Sequence, residues 1–249
     1  MAKKLKFYIS CIFIGIFISL FFFLASAFPS QRVSEKKWFE YPVKLEDSIA
    51  NPIDAGKAIL DAPAGKYGFV KVKNGHFYFE NGKRIRFWGT NITMQANFPS
   101  HNEARKIAAR LARYGFNSVR LHGLDSFHEP NGIFDASGNN TKILSTKQLD
   151  RLDYFIYQLK LKGIYVNINL HVGRKFMAGD GVQDAKKLPF NSKFVTIFDN
   201  TMLELQKNYA GKLLTHYNPY TKTRYNNEPC IALMEITNEN SLFYAWNNE

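Results

Sequence analysis

The alternation of apolar and polar side chains along residues 67–92 predicts short antiparallel strands. The alternation has a period of two, which places successive side chains on opposite faces of a strand. Asn74-Gly75 and Asn81-Gly82 interrupt it, and Asn-Gly between alternating runs is the strongest short signal for a hairpin. We therefore expect a three-stranded antiparallel meander at the start of the domain.

After the meander, the pattern changes to helical runs separated by short apolar runs. Ser100 with Glu103 forms a capping box before the first helical run, and Gly115 supplies its stop. Ser145 is expected to open the second helix. The predicted order is a strand at 86–92, a helix at 103–114, a strand at 116–122, a helix at 149–162, a strand at 164–172, a helix at 198–217 and a strand at 230–239.

Strands that alternate with helices imply a parallel sheet, either an open doubly wound sheet or part of a (β/α)₈ barrel. The segment after the first strand lacks the glycine-rich turn that a doubly wound nucleotide-binding sheet would carry. Polar residues instead gather at the carboxyl ends of the strands, where a (β/α)₈ barrel carries its active site. These residues are Asn91, Arg120, His122, His171, Asn238 and Glu239. The pattern favours an α/β fold of the (β/α)₈ TIM-barrel type, truncated after about the fourth strand.

The first 27 residues have the layout of a secretory signal. Lysines precede an uncharged apolar run at 7–24, and Ala25-Ser26-Ala27 fits a cleavage site. The run is also close to the length of a membrane span, so an uncleaved anchor is the alternative. We expect a signal peptide or anchor at 1–27, an irregular leader at 28–64 and the half-barrel domain at 65–249, secreted or held outside the membrane.

Charge and cysteine content narrow the partners. The 249-residue chain has a formal net charge of +12, but its Lys and Arg are scattered without a dense basic run. That distribution indicates a solvated surface and no nucleic-acid partner. Cys11 lies inside the apolar run, so Cys230 stands alone in the exported domain and no internal disulfide is expected.

Glu239 is the residue most strongly placed for chemistry. It ends the predicted strand at 230–239 and follows Asn238. A carboxylate there is desolvated unless it has a partner, and desolvation favours the protonated form that a general acid needs. The alternative is an acid that caps a helix beginning at Ser241.

Arg120, between apolar neighbours, requires a carboxylate partner. Glu235 lies on the same strand face as Glu239 and deeper in the barrel, which makes it a candidate partner for Arg120. A lone His171 at a strand end is more often a core histidine with satisfied hydrogen bonds.

A metal site and a cofactor are not expected. The residues His122, Asp125, His128 and Glu129 suggest a metal, but the first strand has no His-x-His pair of the kind that barrel metallohydrolases use. Phe127, Phe176 and Trp246 offer aromatic faces for sugar stacking, although packing in the core is the more common role of such side chains.

The segments FNSVRLH, YVNINLHV and IALMEITNEN together resemble the retaining glycoside hydrolases of the cellulase clan, nearest to family five. That resemblance implies a (β/α)₈ barrel and cleavage of β-linked poly- or oligosaccharides. It implies Glu239 as the acid/base, Asn238 as a ligand of the sugar 2-hydroxyl, and Arg120 and His171 as further substrate-binding residues. The resemblance covers residues 66–249.

The sequence departs from the family in two respects. Asn240 stands where the family usually has proline after Asn-Glu. The family places its nucleophile on the seventh strand, and this chain has no glutamate at a matching position. We therefore expect a half barrel that needs a complementary half for activity. The alternative function is a non-catalytic carbohydrate-binding protein, or a membrane-anchored surface protein, derived from a half barrel.

Overall fold

The computed structural model describes residues 54–189 and 192–243, all within the compact unit Lys44–Glu249. The signal or anchor at 1–27, the leader up to residue 53, Phe190 and Trp246 lie outside the described residues, as does the unit Met1–Val43. In the part of the chain that is described, no helix has the length and apolar character needed to cross a bilayer.

The described elements alternate between strands and helices after a short antiparallel sheet. The strands are β1 (Lys71–Lys73), β2 (His76–Tyr78), β3 (Arg84–Ile85), β4 (Gly89–Thr93), β5 (Ser118–His122), β6 (Tyr165–Asn169), β7 (Tyr217–Asn218), β8 (Thr223–Arg224) and β9 (Ile231–Glu235). The α-helices are α1 (Ala55–Ile59), α2 (His101–Arg113), α3 (Thr146–Leu161) and α4 (Asn200–Leu214). Short 3₁₀ helices cover Met94–Asn97, Ala178–Asp180, Ala185–Lys187, Ser192–Ile197 and Tyr225–Asn227.

Strands β1, β2 and β3 form an antiparallel sheet in that order. Asn74 and Gly75 join β1 to β2 with φ of 50° and 72°. Both values lie in the left-handed region that a tight hairpin turn requires, which asparagine and glycine tolerate better than other residues.

The helices begin where side chains satisfy their free N–H groups. Ser100 accepts a hydrogen bond from the Glu103 N–H, and Glu103 accepts one from the Ser100 N–H, so the predicted capping box is present. Ser145 caps α3 in the predicted position, and Asp199 caps α4 through the Met202 N–H at 2.7 Å.

Strands β4, β5, β6 and β9 form a parallel sheet in chain order, with α2, α3 and α4 in the successive connections. The sheet face toward the helices is apolar: Val119, Leu121, Val166 and Ile168 are fully buried in the main core. Because side chains alternate along a strand, the opposite face carries the polar residues. The predicted α/β class with a parallel sheet is confirmed.

Strands β4 and β9 are the outer strands of this sheet. Side chains near both edges are exposed although they are apolar: Trp88 is 67% exposed and Ile236 is 82% exposed.

Three predicted boundaries are wrong. The strand predicted at 164–172 ends at Asn169, and the one predicted at 230–239 ends at Glu235. The helix predicted to reach residue 217 ends at Leu214, because β7 and β8 form a small antiparallel pair immediately afterwards. A two-residue strand is too short to produce a recognisable alternation.

Candidate active site

A row of polar side chains crosses the sheet on the face away from the helices. Asn91 on β4 is the register neighbour of Arg120 on β5, and Arg120 is the register neighbour of Asn167 on β6. Asn169 is paired in the same way with Glu235 on β9. Parallel strands in register thus bring together polar residues that are far apart in the sequence.

Arg120 and Glu235 form the centre of this row. Arg120 donates from Nε to Oε1 of Glu235 at 2.6 Å and from Nη2 to Oε2 at 2.5 Å. The planar guanidinium matches the carboxylate with two parallel bonds, the strongest geometry for such a pair. Glu235 also accepts bonds from Asn167 at 2.7 Å and Asn169 at 3.1 Å. The expected partnership of Arg120 with Glu235 is present.

These contacts keep Glu235 ionised. The hydrogen bond from Arg120 is the largest influence, and it lowers the pKa of Glu235 despite the opposing effect of burial. The same pair raises the pKa of Arg120. A carboxylate that is charged at neutral pH and bonded by four donor atoms orients other groups and does not transfer protons there.

Arg120 also fixes the orientation of Asn238. Its Nη2 donates to Oδ1 of Asn238 at 2.8 Å, which directs the Nδ2 donor of that amide away from the guanidinium. The Asn238 backbone N–H donates to the His171 carbonyl at 2.8 Å. Asn238 is therefore held by main chain and side chain together, with an amide donor available for a hydroxyl group.

His122 belongs to this cluster, as its predicted place at a strand end indicated, and it was not expected among the substrate-binding residues. Arg120 Nη1 lies 2.9 Å from Nδ1 of His122, and Asn169 Nδ2 lies 3.3 Å from the same nitrogen. Because guanidinium can only donate, Nδ1 is the acceptor and the neutral ring carries its proton on Nε2. Burial, then the charge of Arg120, lowers the pKa of His122, so the ring is neutral at pH 7.

Glu239 lies four residues beyond the end of β9 and is exposed. The prediction that Glu239 is desolvated at a strand end is therefore wrong, because the strand ends at Glu235. The negative charge of Glu239 still acts on the cluster. It raises the pKa of Arg120, and it partly offsets the effects that lower the pKa values of His122 and Lys193. Its φ of 43° is left-handed, a strained conformation that in other proteins is concentrated at functional sites.

His171 is buried beside the cluster and makes side-chain contacts of its own. Nδ1 lies 3.2 Å from Asp125 Oδ2, and Nε2 lies 3.1 Å from Thr196 Oγ1. The Thr196 hydroxyl also bonds the Lys193 carbonyl, which holds Thr196 against the ring. His171 is linked to the Arg120 cluster through its backbone carbonyl alone.

Asp125 anchors the loop that follows β6. Its carboxylate, fully buried, accepts bonds from the Val172 N–H at 3.0 and 3.1 Å and from the Gly173 N–H at 3.4 Å. The same carboxylate also contacts the His171 ring. This arrangement holds the loop on which His171 lies.

The other suggested residues do not converge on this cluster. His128 contacts the Asn140 carbonyl at 3.0 Å, and Glu129 accepts a bond from Ser145. Within residues 54–189 and 192–243, no three His, Cys, Asp or Glu side chains are grouped as metal ligands would be. Phe176 is buried in a small apolar cluster, whereas Phe127 is 39% exposed with the Lys175 ammonium 5.7 Å from its ring.

The fold resembles that of several solved glycoside hydrolases. The endo-1,4-beta-mannanase from Rhizomucor miehei is 20% identical, with a TM-score of 0.56 over 69% of this chain and 48% of that chain. The glycoside hydrolase family 5 mannosidase from Rhizomucor miehei is 16% identical, with a TM-score of 0.54 over 70% of this chain and 49% of that chain. A single-residue mutant of that mannosidase, in complex with mannosyl-fructose, is 14% identical, with a TM-score of 0.56 over 71% of this chain and 50% of that chain.

No protein-family model and no curated protein matches the sequence. The chain spans about half the length of the solved structures that it matches. At identities of 14–20%, the likeness establishes the fold, and the predicted resemblance to family five is confirmed at that level.

Proposed function

We propose that this chain is part of a retaining glycoside hydrolase that cleaves β-linked glycosidic bonds in poly- or oligosaccharides, with Glu239 as the acid/base. One observation carries the proposal. Arg120 bonds both Glu235 and Asn238, and thereby fixes the Asn238-Glu239 pair at the carboxyl end of the last strand of a family-five-type sheet. That end of a (β/α)₈ sheet is where such enzymes carry their chemistry.

In the proposed reaction, Glu239 protonates the leaving glycosidic oxygen and later removes a proton from the water that releases the sugar. Its exposure leaves the carboxyl group open to substrate from above the sheet. Asn238, held by Arg120, donates its amide hydrogen to a hydroxyl of the reacting sugar. Arg120 and His171 serve as the further binding residues, His171 through the backbone contact that positions Asn238.

Hydrolysis that retains the anomeric configuration of the sugar requires a second carboxylate about 5–5.5 Å from the first. Among the described residues near the cluster, Glu235 is bonded by Arg120, Asn167 and Asn169, and Asp125 is bonded by backbone N–H groups and His171. Neither is free to attack a sugar. The proposed nucleophile therefore comes from outside these residues, in the complementary half of a (β/α)₈ barrel.

Two features support an incomplete barrel. The side-chain oxygens Oδ1 of Asn167 and Asn169 are buried and have no hydrogen-bond donor among the described residues. Buried polar atoms of this kind normally have partners, which a second half barrel facing the sheet would provide. The outer edges of β4 and β9, near exposed Trp88 and Ile236, pair with no further strand among the described residues.

The same proposal includes export. A signal peptide at 1–27, or an anchor formed by the run at 7–24, would bring the domain to an extracellular polysaccharide.

The test measures hydrolysis of β-mannan first and β-glucan second. The protein assayed is the product of the full reading frame, including any sequence encoded downstream of this chain. β-Mannan comes first because two of the similar structures are named a mannanase and a mannosidase. Glu239→Gln should lower turnover of the polysaccharide by about 10²–10⁴-fold, the usual contribution of a general acid. An aryl β-mannoside with a good leaving group needs no acid, so its first step should survive and added azide should restore turnover.

Glu204→Gln on the exposed face of α4 is the control, since Glu204 is exposed and its carboxylate pairs with Lys207 of the same helix at 2.7 Å. Unchanged polysaccharide turnover in Glu239→Gln would refute the assignment. Saturable oligosaccharide binding without any turnover would favour the non-catalytic carbohydrate-binding alternative.

A further inference from the structure

A cavity of about 220 Å³ lies between α4 and the loop that follows β5, apart from the Arg120 cluster. Its apolar walls include Phe134, Leu144 and Leu205, and its polar lining consists of cations, amides and hydroxyls. No aspartate or glutamate lines it. The cations of this lining are Lys142, Arg174 and Lys212, and its aromatic residues are Phe134 and Tyr209.

Arg174 is the most buried of the three cations in the lining, at 2% exposed. It donates to Thr141 Oγ1 at 2.9 Å, to the Thr141 carbonyl at 2.7 Å, to the Leu205 carbonyl at 2.7 Å and to Gln206 Oε1 at 3.3 Å. These four bonds leave one of its five N–H groups without a partner among the described residues. The guanidinium is also 5.0 Å from the ring centroids of Phe134 and Phe176.

The guanidinium of Arg174 has no carboxylate within ion-pair distance among the described residues. The charges of Asp180 and Asp125 act on it without direct contact and favour its protonated form. Asp180 is already bonded to Thr141 and to the Met177 N–H, and Asp125 to the loop after β6. A buried cation whose carboxylates act on it only without direct contact still costs free energy, and a bound anion would reduce that cost.

Lys142 and Lys212 add two more positive charges at the same cavity. Lys142 Nζ donates to the Gly179 carbonyl at 2.9 Å, and Lys212 Nζ donates to the Lys142 carbonyl at 2.8 Å. Each ammonium has three donors and uses one in these bonds. Neither forms an ion pair with a described carboxylate, so both can contribute hydrogen bonds to an anion.

Tyr209 is a second and independent indication that this cavity binds a ligand. Its side chain lines the cavity and is 2% exposed, and its hydroxyl has no hydrogen-bond partner among the described residues. Burial raises the pKa of Tyr209 well above its usual value, so the hydroxyl keeps its proton and remains a donor. A buried hydroxyl without a partner is rare in native proteins and indicates an unfilled partner position.

We propose that this cavity binds a small ring compound carrying a carboxylate, of the acidic-sugar class, with the carboxylate among Arg174, Lys142, Lys212 and the Tyr209 hydroxyl. Three cations, none of which forms an ion pair with a described carboxylate, select an anion. The apolar and aromatic walls of Phe134 and Tyr209 select a ligand with a ring body over a bare inorganic ion. The volume matches roughly seven water molecules at about 30 Å³ each, which limits the ligand to the size of one sugar. The proposal does not depend on the glycosidase assignment.

The experiment compares glucuronate with glucose, which share a pyranose ring and differ by the carboxylate. Binding to the full 249-residue chain is followed by isothermal titration and by the melting temperature, at constant ionic strength set with NaCl. We expect saturable binding of glucuronate, a rise in melting temperature, and neither effect with glucose at the same concentration. Equal responses to the two sugars, or no saturable response to glucuronate, would overturn the proposal.

Tyr209→Phe is the decisive variant because it keeps the ring and removes only the hydroxyl. It should weaken glucuronate binding about tenfold, the loss of one hydrogen bond to a charged group. Without ligand, its melting temperature should be unchanged or higher, since it removes a buried unsatisfied group. Unchanged affinity in Tyr209→Phe would contradict the proposed site.

Lys212→Gln should weaken glucuronate binding and flatten its dependence on salt, whereas Lys207→Gln on the exposed face of the same helix should do neither. Inorganic phosphate carries negative charge but has no ring, so its binding shows whether the cavity recognises the charge alone. Phosphate binding as tight as that of glucuronate would refute the assignment to a ring carboxylate.

Discussion

Arg120 and Glu235 join two strands that are not neighbours in the sheet, since β6 lies between β5 and β9. Their side chains span β6 above Asn167 and Asn169, whose amides both donate to Glu235. The pair therefore fixes the distance between β5 and the last strand, and with it the position of Asn238.

The first prediction concerns the geometry of this pair. Arg120→Lys keeps the charge but cannot make the two parallel bonds to Glu235. We expect the free energy of unfolding to fall by about 1.5–3 kcal/mol, the range for hydrogen bonds to charged groups. Urea unfolding measures it. Arg105→Lys on α2 is the matched control, because Arg105 bonds Tyr154 and Asn102 at the surface. Equal losses of unfolding free energy in the two variants would show that the two parallel bonds from Arg120 to Glu235 do not matter for stability.

The second prediction is a pH dependence. The pKa of Glu235 is lowered below its ordinary value of 4.5 in the folded protein. The unfolded chain therefore binds a proton at Glu235 more readily, and the stabilisation is present above about pH 4.5 and lost as pH falls through the folded pKa. The difference in unfolding free energy between the native protein and Glu235→Gln should be constant from about pH 7 to about pH 5 and shrink below pH 4.5. A difference that persists unchanged at about pH 3 would contradict this origin.

Local sequence signals predicted much of this fold. The capping residues Ser100 and Ser145 were identifiable because their side chains bond to N–H groups three residues away. The order of the parallel strands follows from the short helical connections between them. The hairpin of β7 and β8 was missed because it depends on pairing across a few residues and not on a periodic pattern.

The candidate site was predicted less completely than the fold. The two-residue period of a strand placed Glu235 on the same predicted face as Glu239. That placement made Glu235 the candidate partner of Arg120. Asn167 and Asn169 alternate with apolar residues in β6, and that period could have placed them in the cluster as well. Thr196 contacts His171 from the 3₁₀ helix Ser192–Ile197, whose position no local pattern specifies. The exposure of Glu239 likewise depends on where β9 ends.

The third prediction concerns catalysis by the chain alone. A fragment of residues 28–249 should show little or no turnover of aryl β-glycosides, because the described residues offer no free second carboxylate beside Glu239. The fragment should also tend to associate, since in the part of the chain that the structure describes the outer edges of β4 and β9 have no partner strand. A colorimetric assay and light scattering test these points. Turnover comparable to that of a complete family-five enzyme, or a cooperative monomeric melt, would contradict the half-barrel proposal.

The fourth prediction concerns the ion pair at the start of β9. Glu228 is 1% exposed and accepts two bonds from Lys160 Nζ at 2.8 and 2.9 Å, so α3 is tied to the segment that leads into β9. Burial alone would raise the pKa of Glu228. The bonds from Lys160, Thr223 and the Cys230 N–H outweigh it and lower the pKa. Glu228 is therefore charged, and it depends on Lys160 for its neutralisation.

Lys160→Met removes the cation and leaves the buried carboxylate unpaired, which typically costs about 3–5 kcal/mol. Lys162→Met, two residues further along and exposed, should cost less than about 1 kcal/mol. Combining Lys160→Met with Glu228→Gln removes the buried charge. The Gln oxygen can still accept from the Cys230 N–H, and the new amide NH₂ can donate to the Thr223 hydroxyl, which is able to accept. The double variant should therefore recover much of the stability lost in Lys160→Met. If it unfolds as readily as the single variant, the cost comes from packing around the lysine stem and not from the unpaired charge.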